Sequence, residues 1–309
     1  MIDIRTAAPF ARRFHGQVVV IKVGGACLER PGLRKRIAAD IAVVHGLGAR
    51  VVVVHGAGPQ VDALQRSLGE EPRKVSGRRI TSPLALRALR QATLGELNGE
   101  LAALITAAGA SAVGLCAGSA KILEATRRPP VVTAEGTVDF GHVGDIKSCD
   151  PTALWALLDR GIVPVLSPPA GDGSGGFLNV NADLAAAHLA VALSARKLLL
   201  CTSTPGILTD ANDPSSLTST LDLAQLAELE AKGVLRDGMA VKARAITMAL
   251  EGGVLRVHVV SGTSEDGLLG ELYTTHGTGT LVTAGNETNT AATADTAVPV
   301  DLPTAGAPA

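Results

Sequence analysis

Several short stretches place charge or glycine where an apolar core would otherwise continue, and each could handle an anion. Lys22-Val23-Gly24-Gly25 sets a cation beside two glycines at the end of an apolar run. His55-Gly56-Ala57-Gly58-Pro59-Gln60 is a second glycine turn of the same kind. Glycines at strand ends let backbone N–H groups converge on an anion with no side chain in the way. Tight-turn geometry alone would also favour glycine there, but Lys22 adds a signal, because a buried strand normally ends in an apolar residue. Asn179-Val180-Asn181-Ala182-Asp183 leads into an Ala/Leu-rich helical pattern, where Asn181 or Asp183 could simply cap the helix. Asp237-Gly238-Met239-Ala240-Val241-Lys242 enters another apolar helix; alone, Lys242 reads as a solvated helix lysine. Ser76-Gly77-Arg78-Arg79-Ile80-Thr81 offers a planar cation able to hold a carboxylate bidentately. Of the seven histidines, His55 lies inside a motif, and its expected role is structural, as a hydrogen-bonding partner of the glycine turn.

The elements that must position these residues alternate between β-branched runs and Ala/Leu-rich helical patterns. Strands are expected at Val18 to Val23, Val51 to Val54, Ala112 to Leu115, Ile162 to Leu166, Lys197 to Cys201 and Val257 to Val260. Helices are expected at about Leu33 to Leu47, Pro83 to Ala108, residues 152–160, Asp183 to Ser194, and a last one ending near Gly252. Fully apolar strands separated by helices indicate an α/β fold with a largely parallel sheet covered on both faces. Ligands bind at strand C-termini in such sheets, where both glycine turns fall. Ser167 to Gly176 is the likeliest internal boundary. Its literal G-x-G-x-x-G (Gly171, Gly173, Gly176) lacks the strand–turn–helix context of a dinucleotide site and is read as a chance match. Residues 283–309 hold Ala, Thr, Pro and Gly without Lys or Arg, a composition that predicts a disordered tail.

Composition excludes several classes of function. The chain of 309 residues carries 28 Lys+Arg against 29 Asp+Glu, which leaves no basic excess for a nucleic-acid backbone. Aromatics make up 2%, too few for a base-stacking platform, so the core must be built from Ala, Val, Leu and Ile. Cys27, Cys116, Cys149 and Cys201 are scattered, which points to a reducing cytoplasm and to no cysteine metal site. The uncharged stretch from Leu101 to Ala120 is long enough to span a bilayer, but its Ala, Gly, Ser and Thr read as a helix end, a turn and a short buried strand. No membrane span is expected.

Taken in order, Lys22 to Gly25, His55 to Gln60, Gly77 to Thr81, Asn179 to Asp183 and Gly238 to Lys242 resemble the amino-acid kinase family, over about residues 9 to 282. Within it the chain is most similar to the members that phosphorylate the γ-carboxylate of N-acetyl-L-glutamate with ATP and Mg²⁺ in arginine biosynthesis. Asp139 to Ile146 looks like the segment that follows that family's substrate-covering hairpin. The resemblance implies an open three-layer αβα sandwich with a mainly parallel central sheet. Its residues 16–176 would bind the acyl-amino acid and 177–282 the nucleotide, after an N-terminal helix over 1–15. Lys22 and Lys242 would neutralise charge on the transferring phosphoryl group, with Asp183 holding them in place. Gly56, Ala57, Arg79 and Asn179 would contact the substrate, and Gly24, Gly25, Ser203, Gly206 and Met239 the nucleotide and its phosphates. No protein metal ligand is implied, Mg²⁺ being held mainly by the nucleotide. Glu271-Leu272-Tyr273-Thr274 with Gly277-Thr278-Gly279-Thr280 is similar to the C-terminal segment of arginine-inhibited members, so Glu271 and Gly277 are candidate contacts for arginine as effector. Those members are dimers linked by an N-terminal helix into hexamers. Here Ile4, Ala7, Ala11 and Phe14, with Phe10 nearby, form an apolar stripe that could serve that linkage or pack on the protein's own core.

Three positions depart from the family's usual pattern: Ala57 for a glycine, Ser203 for an aspartate in the turn Thr202 to Gly206, and Gly114 to Ala120 without an Asp-Gly pair. If position 57 needed a positive φ, alanine would cost about 1 kcal/mol. Two alternatives therefore stay open from the sequence: a kinase for another carboxylate, such as an aminoadipate derivative, and a non-catalytic ligand-binding relative.

Overall fold

The structure is a computed structural model that describes residues 3–75, 77–133, 136–210, 212–275 and 277–285. Its centre is an eight-stranded sheet in the order Thr220–Asp222, Thr280–Thr283, Arg256–Ser261, Lys197–Thr202, Val18–Val23, Arg50–His55, Val163–Ser167 and Ala112–Cys116. The last six run parallel, and Thr280–Thr283 joins antiparallel to Arg256–Ser261. This is the expected mainly parallel sheet between two helical layers.

Period-two alternation explains why the strands are apolar throughout. Val18, Val20, Val52, Val54, Leu198, Leu200, Val257 and Val259 face one layer, with the helices Ala182–Ala192 and Asp237–Glu251. Val19, Ile21, Val23, Val51, Val53, Leu199, Cys201 and Val260 face the other, with Pro31–Gly46 and Asn98–Ala107. Ala185, Ala186, Ala187 and Ala190 are fully buried, and such small side chains let the helix Ala182–Ala192 lie close to the sheet and to Asp237–Glu251.

Three local expectations are corrected. The helix from Pro83 is interrupted: Pro83–Arg90 passes through a π-helical turn, Gln91–Leu97, before Asn98–Ala107. Within that turn the Thr93 hydroxyl donates to the Leu89 carbonyl at 2.7 Å. The strand Ala112–Cys116 is not buried but half-exposed, because it forms the edge of the sheet. Thr283 belongs to the last strand, paired with Asp222, so ordered structure passes the expected start of the tail. The rest of that tail, 286–309, lies outside the described residues.

A four-stranded sheet, Phe177–Leu178, Ala170–Gly171, Leu123–Arg127 and Gly144–Cys149, stands beside the large one. Ala170–Gly171 pairs antiparallel with Phe177–Leu178, so Gly171 to Gly176 form a hairpin loop and not a dinucleotide turn. The expected 176/177 junction falls within this hairpin. Two further hairpins, Lys74–Val75 with Arg78–Arg79 and Val131–Thr133 with Gly136–Val138, overhang the same region. Among the described residues no helix is long and apolar enough to cross a membrane.

The N-terminal helix Ile4–Phe14 buries Ala7 and Phe14 against the protein's own core, with Phe14 edge-on to Tyr273 at 5.9 Å between ring centres. Ile4 remains 77% exposed. Most of the apolar stripe therefore packs within the chain, and its first member is left free.

Candidate active site

Lys22, Asp183 and Lys242 come together from three elements. Lys22 occupies the second-last position of the central strand Val18–Val23, Asp183 the first turn of Ala182–Ala192, and Lys242 the second turn of Asp237–Glu251. Asn181 fixes the aspartate: its side-chain oxygen accepts from the N–H groups of Asp183 (2.8 Å) and Leu184 (3.1 Å), so the capping role belongs to Asn181. Asp183 Oδ1 then receives Lys22 Nζ at 2.8 Å and Lys242 Nζ at 2.9 Å. All three residues are at most 7% exposed. Burial pushes the Asp183 carboxyl up, but the two ammonium groups outweigh it and hold the group well below the ordinary carboxylate range. Burial and the nearby Lys22 lower the Lys242 pKa, with Asp183 opposing them. Two cations on one carboxylate leave a net positive charge, buried and fixed, at the junction of two clefts.

Asp183 and Gly238 line both clefts. The smaller, about 320 Å³, includes Lys22, Gly25, Gly56, Ala57, Arg79 and Asn179. The larger, about 930 Å³, includes Thr202, Gly206, Asp210, Arg236, Met239 and Lys242. The two clefts thus meet at the lysine pair, Lys22 lining the smaller and Lys242 the larger.

The glycine turns interlock. A Cβ at Gly25 would lie 2.6 Å from the Gly58 nitrogen, and the Gln60 side chain donates to the Gly25 carbonyl at 3.0 Å. The Gly24 N–H donates to the Cys201 carbonyl at 3.0 Å and the Gly56 N–H to the Val23 carbonyl at 2.8 Å, so both N–H groups extend the strand pairing, and Gly56 still lines the smaller cleft. Gly25 and Gly58 instead open helical segments, whose first N–H groups have no intrahelical acceptor. Ala57 has φ −150° and ψ 35°, so this position does not need the positive φ that would penalise alanine, and Ala57 forms part of the cleft wall. Ser203 is exposed and off the larger cleft, whose wall there comes from Thr202, Thr204 and Gly206.

Arg79 reaches the smaller cleft but has internal partners: an ion pair with Asp62, Gln65 Oε1 at 2.8 Å and the Gly58 carbonyl at 3.2 Å. Asn179 donates to Thr81 Oγ1 at 3.0 Å, which ties the small sheet to the Arg79 hairpin. His55 is structural, with a partner the sequence did not indicate. Its Nε2 accepts from the Asn98 amide at 3.0 Å, the same amide donates to the Val165 carbonyl at 2.9 Å, and burial lowers its pKa to about 4.

Glu271 and Gly277 lie elsewhere, under the N-terminal helix. Glu271 Oε1 meets His258 Nδ1 at 2.6 Å, while Oε2 accepts from Thr278 (2.6 Å) and Gly279 (2.9 Å). Burial works against its ionisation, yet His258 and these two N–H groups hold its pKa down at about 2. Gly277 has φ +63°, and a Cβ there would sit 2.9 Å from Glu271 Oε2. Nearby, Lys197 is 5% exposed with Nζ 4.7 Å from the centre of the Phe14 ring, and burial lowers its pKa to about 7. Sequence reasoning missed Lys197 and His258, which appear as single polar residues in apolar strands. It also missed Asp62, which lies two residues beyond the second glycine turn.

The model of the amino acid kinase family matches residues 17–261. The chain belongs to the amino acid kinase family. An acetylglutamate kinase of Myxococcus xanthus is 42% identical over 289 residues, covering 92% of this chain and 94% of that protein. An N-acetylglutamate synthase from Neisseria gonorrhoeae, solved with coenzyme A and N-acetyl-glutamate, is 30% identical with a TM-score of 0.78. The match covers 90% of this chain and 62% of the synthase. The gonococcal synthase solved with coenzyme A and L-arginine is 29% identical with a TM-score of 0.73, covering 91% of this chain and 64% of that one.

Proposed function

We propose that this protein is an ATP-dependent kinase that phosphorylates the γ-carboxylate of N-acetyl-L-glutamate, giving N-acetyl-L-glutamyl 5-phosphate, the second step of arginine biosynthesis. The observation that carries the reading is the buried Lys22–Asp183–Lys242 group, which faces a small cleft on one side and a nucleotide-sized cleft on the other. The identity to acetylglutamate kinases over nine-tenths of the chain selects the substrate.

The chemistry asks little beyond position and charge. A γ-carboxylate with a pKa of about 4.3 is already ionised at pH 7, so no general base is needed. The difficulty is to bring one anion to another. Lys22 and Lys242 offset the charge that accumulates on the transferring phosphoryl group, and preorganised cations in a water-poor site act strongly there. Asp183 is a positioning residue: it holds both ammonium groups and touches no reacting atom. Gly25 and Ala57 line the path of the phosphoryl group, and Arg79, already neutralised by Asp62, orients the acyl-amino acid with Asn179. Gly206 and Met239 hold the nucleotide. Magnesium bound to ATP supplies further charge neutralisation. Asp183 Oδ1 is committed to two ammonium groups, which suits a lysine holder better than a metal ligand, so Mg²⁺ is carried mainly by the nucleotide phosphates. The reaction takes place in the cytoplasm, in a homodimer or a trimer of dimers.

Hydroxylamine trapping of acyl phosphate tests the substrate, with N-acetyl-L-glutamate, L-glutamate, N-acetyl-L-aspartate and an aminoadipate compared side by side. Product is expected from N-acetyl-L-glutamate above the others. Product from another acid would move the substrate, and silence on all four from a folded, ligand-binding protein would favour a sensor.

Feedback inhibition by arginine belongs to the same proposal. Glu271 is held anionic beneath the helix Ile4–Phe14 and offers a counter-charge to a guanidinium, with Gly277 leaving room beside it. Removing residues 1–15 is expected to abolish arginine inhibition while turnover persists. A truncated enzyme with unchanged arginine sensitivity would contradict this part.

A further inference from the structure

His55 and Asn98 form a polar pair behind the second glycine turn, where apolar side chains would otherwise pack. His55 is fully buried and Asn98 is 4% exposed, so both must find their partners inside the protein. Asn98 follows the π-helical turn Gln91–Leu97, and its N–H donates to the Thr93 carbonyl, five residues back. Thr93 lines the smaller cleft. An extra residue in one turn rotates the helix that follows by about 100°, and the Asn98 side chain is thereby brought onto the sheet. The sheet makes room for it: a Cβ at Gly114, on the edge strand, would collide with Asn98 Oδ1.

The partners determine where the imidazole proton sits. The Val165 carbonyl can only accept, so the group that meets it at 2.9 Å is the Asn98 NH₂. The same NH₂ lies 3.0 Å from His55 Nε2, which must then accept and carry no proton. The proton of the neutral ring is therefore on Nδ1. Two influences act on this ring: burial, which disfavours its charged form, and the Gly56 carbonyl, which favours a protonated nitrogen beside it. No charged group among the described residues adds to them. Nε2 is taken, so the nitrogen that meets the Gly56 carbonyl is Nδ1, which has no other partner among the described residues. That carbonyl belongs to the same trans peptide unit as the Ala57 N–H, which points the opposite way, and Ala57 lines the smaller cleft.

We propose that Asn98 is a positioning residue for phosphoryl transfer: by fixing the imidazole proton on Nδ1 it makes His55 hold the Gly56 carbonyl, and so sets the Gly56–Ala57 peptide with its N–H toward the cleft. This rests on the proposed transfer reaction. Neither Asn98 nor His55 touches a reacting atom. With the proton on Nε2 instead, the Nδ1 lone pair would face the carbonyl oxygen, and the repulsion of two acceptors would turn the peptide away.

The test compares the intact protein with N98D, which keeps the side-chain shape and removes its donors. A carboxylate at position 98 accepts from Nε2–H and so draws the proton away from Nδ1. One further proton taken up by the pair, on either member, restores Nδ1–H. The ¹⁵N NMR spectrum of the histidine rings reads the proton position directly: on Nδ1 in the wild type, and on Nε2 in N98D at about pH 8.5. In acyl phosphate kinetics at that pH, N98D is expected to lose kcat roughly 10- to 100-fold, with the KM for ATP nearly unchanged. Relative to wild type it should regain most of the loss as pH falls toward about 6, because a neighbouring carboxylate makes the pair bind a proton more readily. A merely structural role would lower Tm and kcat without that recovery. A wild-type ring protonated on Nε2, an N98D enzyme with wild-type kcat, or a loss independent of pH would overturn the inference. If N98D does not fold, N98A replaces it: wild-type kcat overturns the inference, and a lowered kcat with the KM for ATP held supports it. Should the unmodified protein form no acyl phosphate, the proposed function fails instead, a result separable from all of these.

Discussion

Lys22→Met is expected to lower kcat for acyl phosphate formation by about 10²- to 10³-fold, the usual effect of deleting one preorganised charge at a developing anion. Methionine keeps much of the length and apolar volume of lysine, so the strand Val18–Val23 should still pair with Arg50–His55 and Lys197–Thr202. The KM for ATP should change much less, because Lys22 lines the substrate cleft and not the nucleotide cleft. Lys242→Met, on the nucleotide side, should lose kcat similarly and raise the KM for ATP as well. Initial-rate kinetics in both substrates distinguish the two. A Lys22→Met enzyme within a few-fold of wild type would remove this lysine from the reaction.

Asp183→Asn is expected to cost both activity and stability. In the wild type the carboxylate separates two buried ammonium groups; the amide leaves two like charges facing each other without a counter-ion. Breaking a buried charge group by removing one partner costs about 3–5 kcal/mol, a fall in Tm of about 5–8 °C for a chain of this size. Removing Lys242 as well, in the D183N/K242M double variant, should recover part of the lost Tm but none of the activity. Calorimetry on the four proteins of this cycle measures the coupling. The pH dependence has a definite sign. Asp183 has a folded pKa depressed below its unfolded value of about 3.9, so its stabilisation is fully present above that value and is lost as pH falls toward the folded one. Wild type should therefore lose its Tm advantage over Asp183→Asn as pH drops below about 4.

The sequence made parts of this site legible for identifiable reasons. A lysine near the end of a strand that is otherwise valine and isoleucine breaks the apolar pattern, and glycine turns follow strand ends, so Lys22, Gly25 and the His55 turn could be located in one dimension. The capping residue Asn181 and the first-turn Asp183 were visible as a helix start. Lys242 was visible as a residue but not as a buried one, because its burial depends on how Asp237–Glu251 crosses Ala182–Ala192. Long-range pairing was not legible at all. The commitment of the Gly24 and Gly56 N–H groups to carbonyls of the sheet, the neutralisation of Arg79 by Asp62, and the enclosure of Glu271 by His258 and two backbone N–H groups all follow from strand register and loop closure. The π-helical turn at Gln91–Leu97 escaped for a related reason: its residues are ordinary helix formers, and the extra residue per turn leaves no compositional mark.

The central claim is that the Lys22–Asp183–Lys242 junction moves a phosphoryl group from ATP to a carboxylate. It is tested most directly by ³¹P NMR of the protein with Mg²⁺, ATP and N-acetyl-L-glutamate, without a trapping agent. An acyl phosphate signal growing in step with ADP, and absent in Lys22→Met at the same protein concentration, is the expected result. ADP accompanied only by inorganic phosphate from the outset, or an acyl phosphate signal that persists undiminished in Lys22→Met, would contradict it.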